Sequence, residues 1–214
     1  MHDLIVTWFE WVHDWHYWGV LLLMAMESSI LPVPSELVIP PAAYWATRGD
    51  NGTTLVGVVL VGTAGSYLGA AIMYGLSRWL GRPLVLKYGR FVHITPAKLE
   101  RAERFLARYE RGGVFFARLL PVVRHLIGIP AGVVRMPFLS YSVMTILGSG
   151  IWCAVLAWFG QKVLGGDPKL MEDPEAMSHA IKSNMIWIVG GIVVLAVLYF
   201  AMLRLTQKRE QPAA

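Results

Sequence analysis

Apolar residues occupy most of this chain in long blocks, and proline, glycine and charge interrupt those blocks at a few places. The cleanest block is residues 185–203, "MIWIVGGIVVLAVLYFAML", which has no charge. At 1.5 Å per residue it is about long enough to cross a hydrocarbon core of about 30 Å, and it is apolar on every side, so it predicts a transmembrane helix. Residues 54–80 and 138–164 are two further glycine-rich blocks of spanning length. Residues 19–45 and 114–134 are as apolar, but each is broken by prolines and charges. Leu4, Trp8, Trp11, Trp15 and Trp18 repeat at alternating steps of four and three, which makes one helical stripe over residues 4–18. Tryptophan favours the membrane–water interface, so this helix is expected to lie along the surface. Residues 47–53 read as a turn and 165–184 as a loop or short helix. Residues 81–113 are polar and basic; within them Thr95-Pro96 is a helix start, with Leu99, Phe105, Leu106 and Tyr109 on its apolar side.

Arranged this way, the chain is a single membrane domain over residues 1–204 with a tail at 205–214. Residues 4–80 and 96–164 repeat one pattern: surface helix, proline-broken apolar segment, glycine-rich span. The basic linker and helix of 81–113 join them, and the span at 185–203 follows. The expected fold is an all-α integral membrane protein: an inverted repeat of amphipathic helix, re-entrant hairpin and transmembrane helix, plus a C-terminal transmembrane helix.

Charge decides between an inverted and a parallel repeat. Residues 1–52 hold one basic residue, Arg48, against six acids, whereas residues 81–113 hold eight Lys or Arg against three acids. By the positive-inside rule 81–113 is cytoplasmic, as is the tail with Arg204, Lys208 and Arg209. Three crossings at 54–80, 138–164 and 185–203 satisfy this only if 19–45 and 114–134 each enter and leave on one side. The net charge of +5 is therefore topology and attraction to anionic headgroups, with no nucleic acid implied. Composition agrees: 56% of residues are hydrophobic, 15% are charged, and the mean hydropathy is +0.52, against about 25% charged in soluble domains. One cysteine, Cys153, excludes an internal disulfide and argues against a cysteine metal site. The N-terminus lacks the basic region of a cleaved signal peptide. His13 and His16 have no third ligand in view and read as interfacial polar residues. No cofactor is expected, and a homo-oligomer is compatible with the sequence.

The broken segments carry the candidate chemistry. "ESSILPVPSE" holds Glu27 and Glu36 around Pro32 and Pro34; "ARLLPVVRHLIGIPAG" holds Arg118 and Arg124 with Pro121 and Pro130. Proline breaks helices, and irregular backbone at membrane depth is tolerated only inside protein or beside a wet cavity. These prolines therefore mark two hairpin tips entering from opposite faces, a transporter arrangement with its site between the repeats. A lone charge at a helix centre costs about 2.5–3.5 kcal/mol, so the carboxylates and guanidiniums are expected to pair. They form either a structural lock or transport machinery. In the second case, Arg118 and Arg124 grip an anionic phosphate in bidentate fashion, and Glu27 and Glu36 exchange protons, one releasing its arginine when protonated. His125 is a further candidate proton carrier. Gly65, Gly69 and Gly75 read as helix-packing positions, and Arg78 as a snorkelling residue.

These residues together resemble the DedA family of bacterial inner-membrane proteins, related to eukaryotic VTT-domain lipid scramblases. The likeness covers about residues 18–165 and rests on "ESSILPVPSE" (E-x-x-x-x-P-x-P-x-E), "GSYLGAAIMYGLSRWLG" (G-x-x-x-G-x-x-x-x-Y), "FARLLPVVRHLIGIPAG" (F-x-R-x-x-P-x-x-R-x-x-x-x-x-x-A-G), and "MPFLSY" followed by Gly148 and Trp152. The resemblance implies paired re-entrant hairpins and lipid translocation, with essential acids at Glu27 and Glu36 and essential arginines at Arg118 and Arg124. Family members are associated with returning undecaprenyl phosphate across the inner membrane, others with phospholipid movement or proton-dependent stress tolerance. The expected activity is thus a flippase for an anionic lipid phosphate, with membrane lipids and protons as partners and no enzymatic step. The alternatives are a phosphatidylethanolamine-type scramblase and a proton-dependent small-solute or drug antiporter.

Overall fold

A computed structural model of the chain describes residues 2–29, 34–49, 52–89, 95–120 and 123–166, with isolated positions at 190 and 197. Pro32, Pro121, the expected span at 185–203 and the tail at 205–214 lie outside the described residues. Among the described residues the regular elements are all helical: α1 (His2–Asp14), α2 (His16–Glu27), a 3-10 turn (Ser35–Leu37), α3 (Ile39–Arg48), α4 (Leu55–Gly89), α5 (Pro96–Leu119), α6 (Gly128–Val133) and α7 (Phe138–Gly166).

Local chemistry sets several of these boundaries. Pro40 and Pro41 open α3, where a missing N–H costs nothing, and Gly49 closes it at φ 74°, with its N–H bonded to the Trp45 carbonyl. α5 starts at Pro96 after Thr95, as the sequence predicts. α4 bends at Gly81 (φ 69°), close to the expected end of its span, then continues to Gly89. Two elements differ from expectation. The helix expected over 4–18 is two helices, with a corner at Trp15 and His16 at φ 50°. Gly19 causes the corner, because its bare Cα lets α2 pack onto the Trp11 carbonyl, and Trp11 and Trp15 stack at 5.3 Å. The tryptophan stripe is split accordingly: Trp8 and Trp11 pack on the core, whereas Trp15 and Trp18 are exposed. The second difference is α5, which runs unbroken through Gly112 and Gly113 from its basic first turns into the apolar segment.

Two helices carry the architecture. Leu55–Pro83 of α4 and Phe138–Lys162 of α7 are long and apolar enough to cross a membrane. Their outward faces are apolar too: Val56, Leu60, Leu68, Ile72, Leu76 and Trp79 are exposed on α4, and Leu139, Val143, Ile146, Leu147, Ile151 and Trp158 on α7. Stripes of this length would be unfavourable in water and suit lipid. The helices are antiparallel, since Gly62 faces Cys153, Ser66 meets Ser149, and Ala70 accepts from Tyr141. α2 runs parallel to α4, with Tyr17 on Thr54, Leu21 behind Gly65 and Ala25 behind Gly69. α6 packs on α4 through Gly128 and Gly132, which meet Ala70 and Tyr74. α7 receives α5 at Gly148 and α3 at Gly160, which meet Arg118 and Pro40. Each long helix thus touches one arm that precedes it and one arm from the other half of the chain.

Candidate functional site

Three of the four predicted charges converge. The α2 C-terminus delivers Glu27, the 3-10 turn after Pro34 delivers Ser35 and Glu36, and the turn after α5 delivers Arg124. Arg124 Nη2 donates to Glu27 Oε1 in a close ion pair and to Ser35 Oγ at 2.5 Å, and it lies 3.9 Å from Glu36 Oε1. The Ser35 backbone N–H also donates to Glu27 Oε1, at 3.0 Å. Trp152 of α7 completes the setting: its indole N–H donates to Ser35 Oγ at 3.3 Å, and its ring lies 4.9 Å from the Arg124 guanidinium carbon. His125 Nδ1 donates to the Glu27 carbonyl at 3.0 Å. Glu27 is 1% exposed and Arg124 6%, so this is a desolvated pair with its hydrogen bonds largely made.

Arg118 stands apart from that cluster. It is 2% exposed, and among the described residues no carboxylate lies within ion-pair distance of it. Its Nη2 donates to the Tyr141 hydroxyl at 2.9 Å, and Tyr141 passes a bond on to the Ala70 carbonyl at 3.1 Å. Among the described residues, Nε of Arg118, Nε of Arg124 and the Thr145 hydroxyl are buried without a hydrogen-bond partner. A chain of hydroxyls, Ser28 to Ser66 at 2.8 Å and Ser66 to Ser149 at 3.2 Å, crosses from α2 through α4 to α7.

The remaining predicted positions divide. Pro34 precedes the 3-10 turn in extended conformation, and Pro130 is buried within α6. Gly65 and Gly69 face α2, where a Cβ would come 3.0 Å from Met24 Cβ and Ser28 Cβ respectively. Gly75 is exposed, and among the described residues nothing lies within 4 Å of a Cβ placed there. Arg78 donates to the Tyr74 hydroxyl at 2.7 Å, and Tyr74 in turn to the Met136 carbonyl. His13 bonds Asp14 at 2.7 Å, and among the described residues no group of three His, Cys, Asp or Glu clusters as a metal site would. Ser35 and Thr145 did not emerge from the sequence as site residues, and Tyr141 and Trp152 entered only through the family pattern. The available signal was a polar stripe in an apolar span: Tyr141, Thr145, Ser149 and Trp152 step by four, four and three along α7.

Long helices with apolar outer faces around a buried, charged centre define an integral membrane protein. The VTT domain model matches residues 33–162, and the chain belongs to that family, the DedA family of the sequence motifs. "Undecaprenyl phosphate transporter A" of Bacillus subtilis is 31% identical over 206 residues, covering 96% of this chain and 98% of the relative. "Uncharacterized membrane protein YkoX" of the same organism is 30% identical over 94% of this chain and 86% of its own. An "Alkaline phosphatase-like protein" of Lactococcus lactis is 29% identical over 98% and 96%. No solved structure matches.

Proposed function

We propose that this protein carries an anionic lipid phosphate, undecaprenyl phosphate or a close polyprenyl relative, across a bacterial inner membrane. The observation that carries the proposal is the contrast between two buried arginines: Arg124 is neutralised by Glu27 and Glu36, while among the described residues Arg118 bonds the neutral Tyr141 and meets no carboxylate. A buried cation without a counter-charge is costly and favours an incoming anion. Arg118 is then the resting receptor for phosphate, and Arg124 joins when its carboxylates let go. Protonation of Glu27 or Glu36 is the release step and couples transport to protons. The headgroup passes through the polar centre while the tail stays in lipid.

The inverted repeat and its two re-entrant hairpins belong to the same reading. They are supported by the antiparallel α4 and α7 and by the exchange of arms between the halves, α2 and α6 packing on α4 and α3 and α5 on α7. The basic end of α5 and the C-terminus are cytoplasmic in this scheme.

The test is reconstitution of purified protein in liposomes, following undecaprenyl phosphate beside phosphatidylethanolamine, with Arg118→Ala as control. Selective movement of the polyprenyl phosphate, lost in Arg118→Ala, supports the carrier. Equal movement of both lipids makes the protein a scramblase. Release of inorganic phosphate makes it an enzyme, and no lipid movement by folded protein points to a small-solute antiporter.

A further inference from the structure

Arg118 does more than lack a carboxylate. Its side chain leaves α5 where Gly148 stands on α7, since a Cβ added there would lie 2.6 Å from Arg118 Cβ. Its tip ends at the Tyr141 hydroxyl, 2.9 Å away. The side chain therefore runs back along α7 from the level of residue 148 toward that of residue 141, and Thr145 lies between the two on the same helical face. Arg118 Nε, midway along this run, is buried without a partner, and so is Thr145 Oγ1 on a residue of 0% exposure. A helical threonine ordinarily bonds a carbonyl of its own preceding turn. Thr63 does so with the Val59 carbonyl at 2.7 Å, and Thr47 with that of Tyr44 at 2.7 Å. Thr145 makes no such bond. Two buried donors along one stretch of α7, with a guanidinium that finds no carboxylate among the described residues, call for a single acceptor that is also negative.

We propose that Arg118 Nε–H and the Thr145 hydroxyl form the seat of one anionic phosphoryl oxygen, with Tyr141 anchoring the far end of the guanidinium. The inference rests on the lipid-phosphate reading above and adds to it a specificity residue, Thr145. Because Thr145 donates and the guanidinium supplies charge, the seat takes an anionic phosphoryl oxygen, the group shared by a polyprenyl phosphate and free inorganic phosphate.

The experiment measures thermal unfolding of the purified full chain in detergent against graded farnesyl phosphate and, separately, inorganic phosphate. The variants are Thr145→Val, which keeps shape and removes the hydroxyl, and Thr145→Ser, which keeps it. Expected is saturable stabilisation of wild type and Thr145→Ser, with apparent affinity about tenfold or more weaker in Thr145→Val, the loss of one charge-assisted hydrogen bond. Without ligand, Thr145→Val unfolds no lower than wild type, because an unpartnered buried hydroxyl has been removed. Wild-type affinity in Thr145→Val overturns the seat and leaves the transport reading standing. A lower unfolding temperature of ligand-free Thr145→Val also overturns it, since the hydroxyl then has a structural partner. Equal affinity for inorganic phosphate supports the seat but detaches it from a lipid, and no stabilisation by either probe overturns both.

Discussion

Arg124 is held by four side chains from three elements, and that company makes it intolerant of partial loss. Removing Glu27 leaves a buried guanidinium facing only the more distant Glu36, and breaking a buried pair on one side costs about 3–5 kcal/mol. Glu27→Ala should therefore lower the unfolding temperature sharply. Glu27→Ala/Arg124→Ala should lower it by much less than the two single changes added together, which a double-mutant cycle on detergent-solubilised protein measures. Strict additivity would mean that the pair is not formed. Tyr141→Phe strands Arg118 Nη2 and the Ala70 carbonyl together, so it should cost about 1–3 kcal/mol, read by the same melt. The glutamates and arginines were legible in the sequence because charge inside an apolar block is conspicuous. Their distribution was not. Ser35, Tyr141 and Trp152 are ordinary residues of a proline-broken segment or an apolar span until the fold brings them to a guanidinium, and no spacing rule says which arginine takes both acids.

At the scale of elements, glycine decides how closely helices approach, and position matters more than count. Gly69 faces the Ala25 carbonyl and Ser28, whereas Gly75 faces outward on the same helix. Gly69→Leu should separate α2 from α4 and abolish a sharp melt. Gly75→Ala should be neutral or slightly stabilising, since alanine exceeds glycine in helix propensity by about 1 kcal/mol. Similar losses in both would contradict the assigned packing. Spacing alone put these glycines in one class, because G-x-x-x-G periodicity identifies a helix without saying which side has a neighbour. The same blindness hid the corner at Trp15, which is made by Gly19 meeting the Trp11 carbonyl with no proline or turn motif at the bend. Within α5, a Cβ at Gly113 would lie 2.9 Å from the Phe105 ring, so that glycine lets the ring pack against its own helix.

For the molecule as a whole, the two antiparallel spans set which surfaces are reachable from which side. Trp79 and Trp158 lie near the C-terminal ends of the two apolar spans and are exposed, so cysteines placed there should be labelled from opposite faces of a sealed vesicle. The lone native thiol suits the assay: Cys153 is fully buried against α4 and should react with a maleimide only after denaturation. Labelling of both positions from one side would rule out the antiparallel crossing. Hydropathy alone made these spans legible, whereas the exchange of arms between halves needed the fold. That exchange has a consequence in time. Glu27 and Arg124 are separated by 97 positions, so the carboxylate is synthesised well before its partner exists. At about 5–20 residues per second, the delay is about 5–20 seconds. During biogenesis the first half must wait at the insertion machinery with its acid in water or protonated, its long helix still missing an arm. A nascent chain stalled before residue 118 should therefore remain extractable and protease-sensitive, and the membrane-embedded form should be committed only when the second arginine-bearing segment arrives.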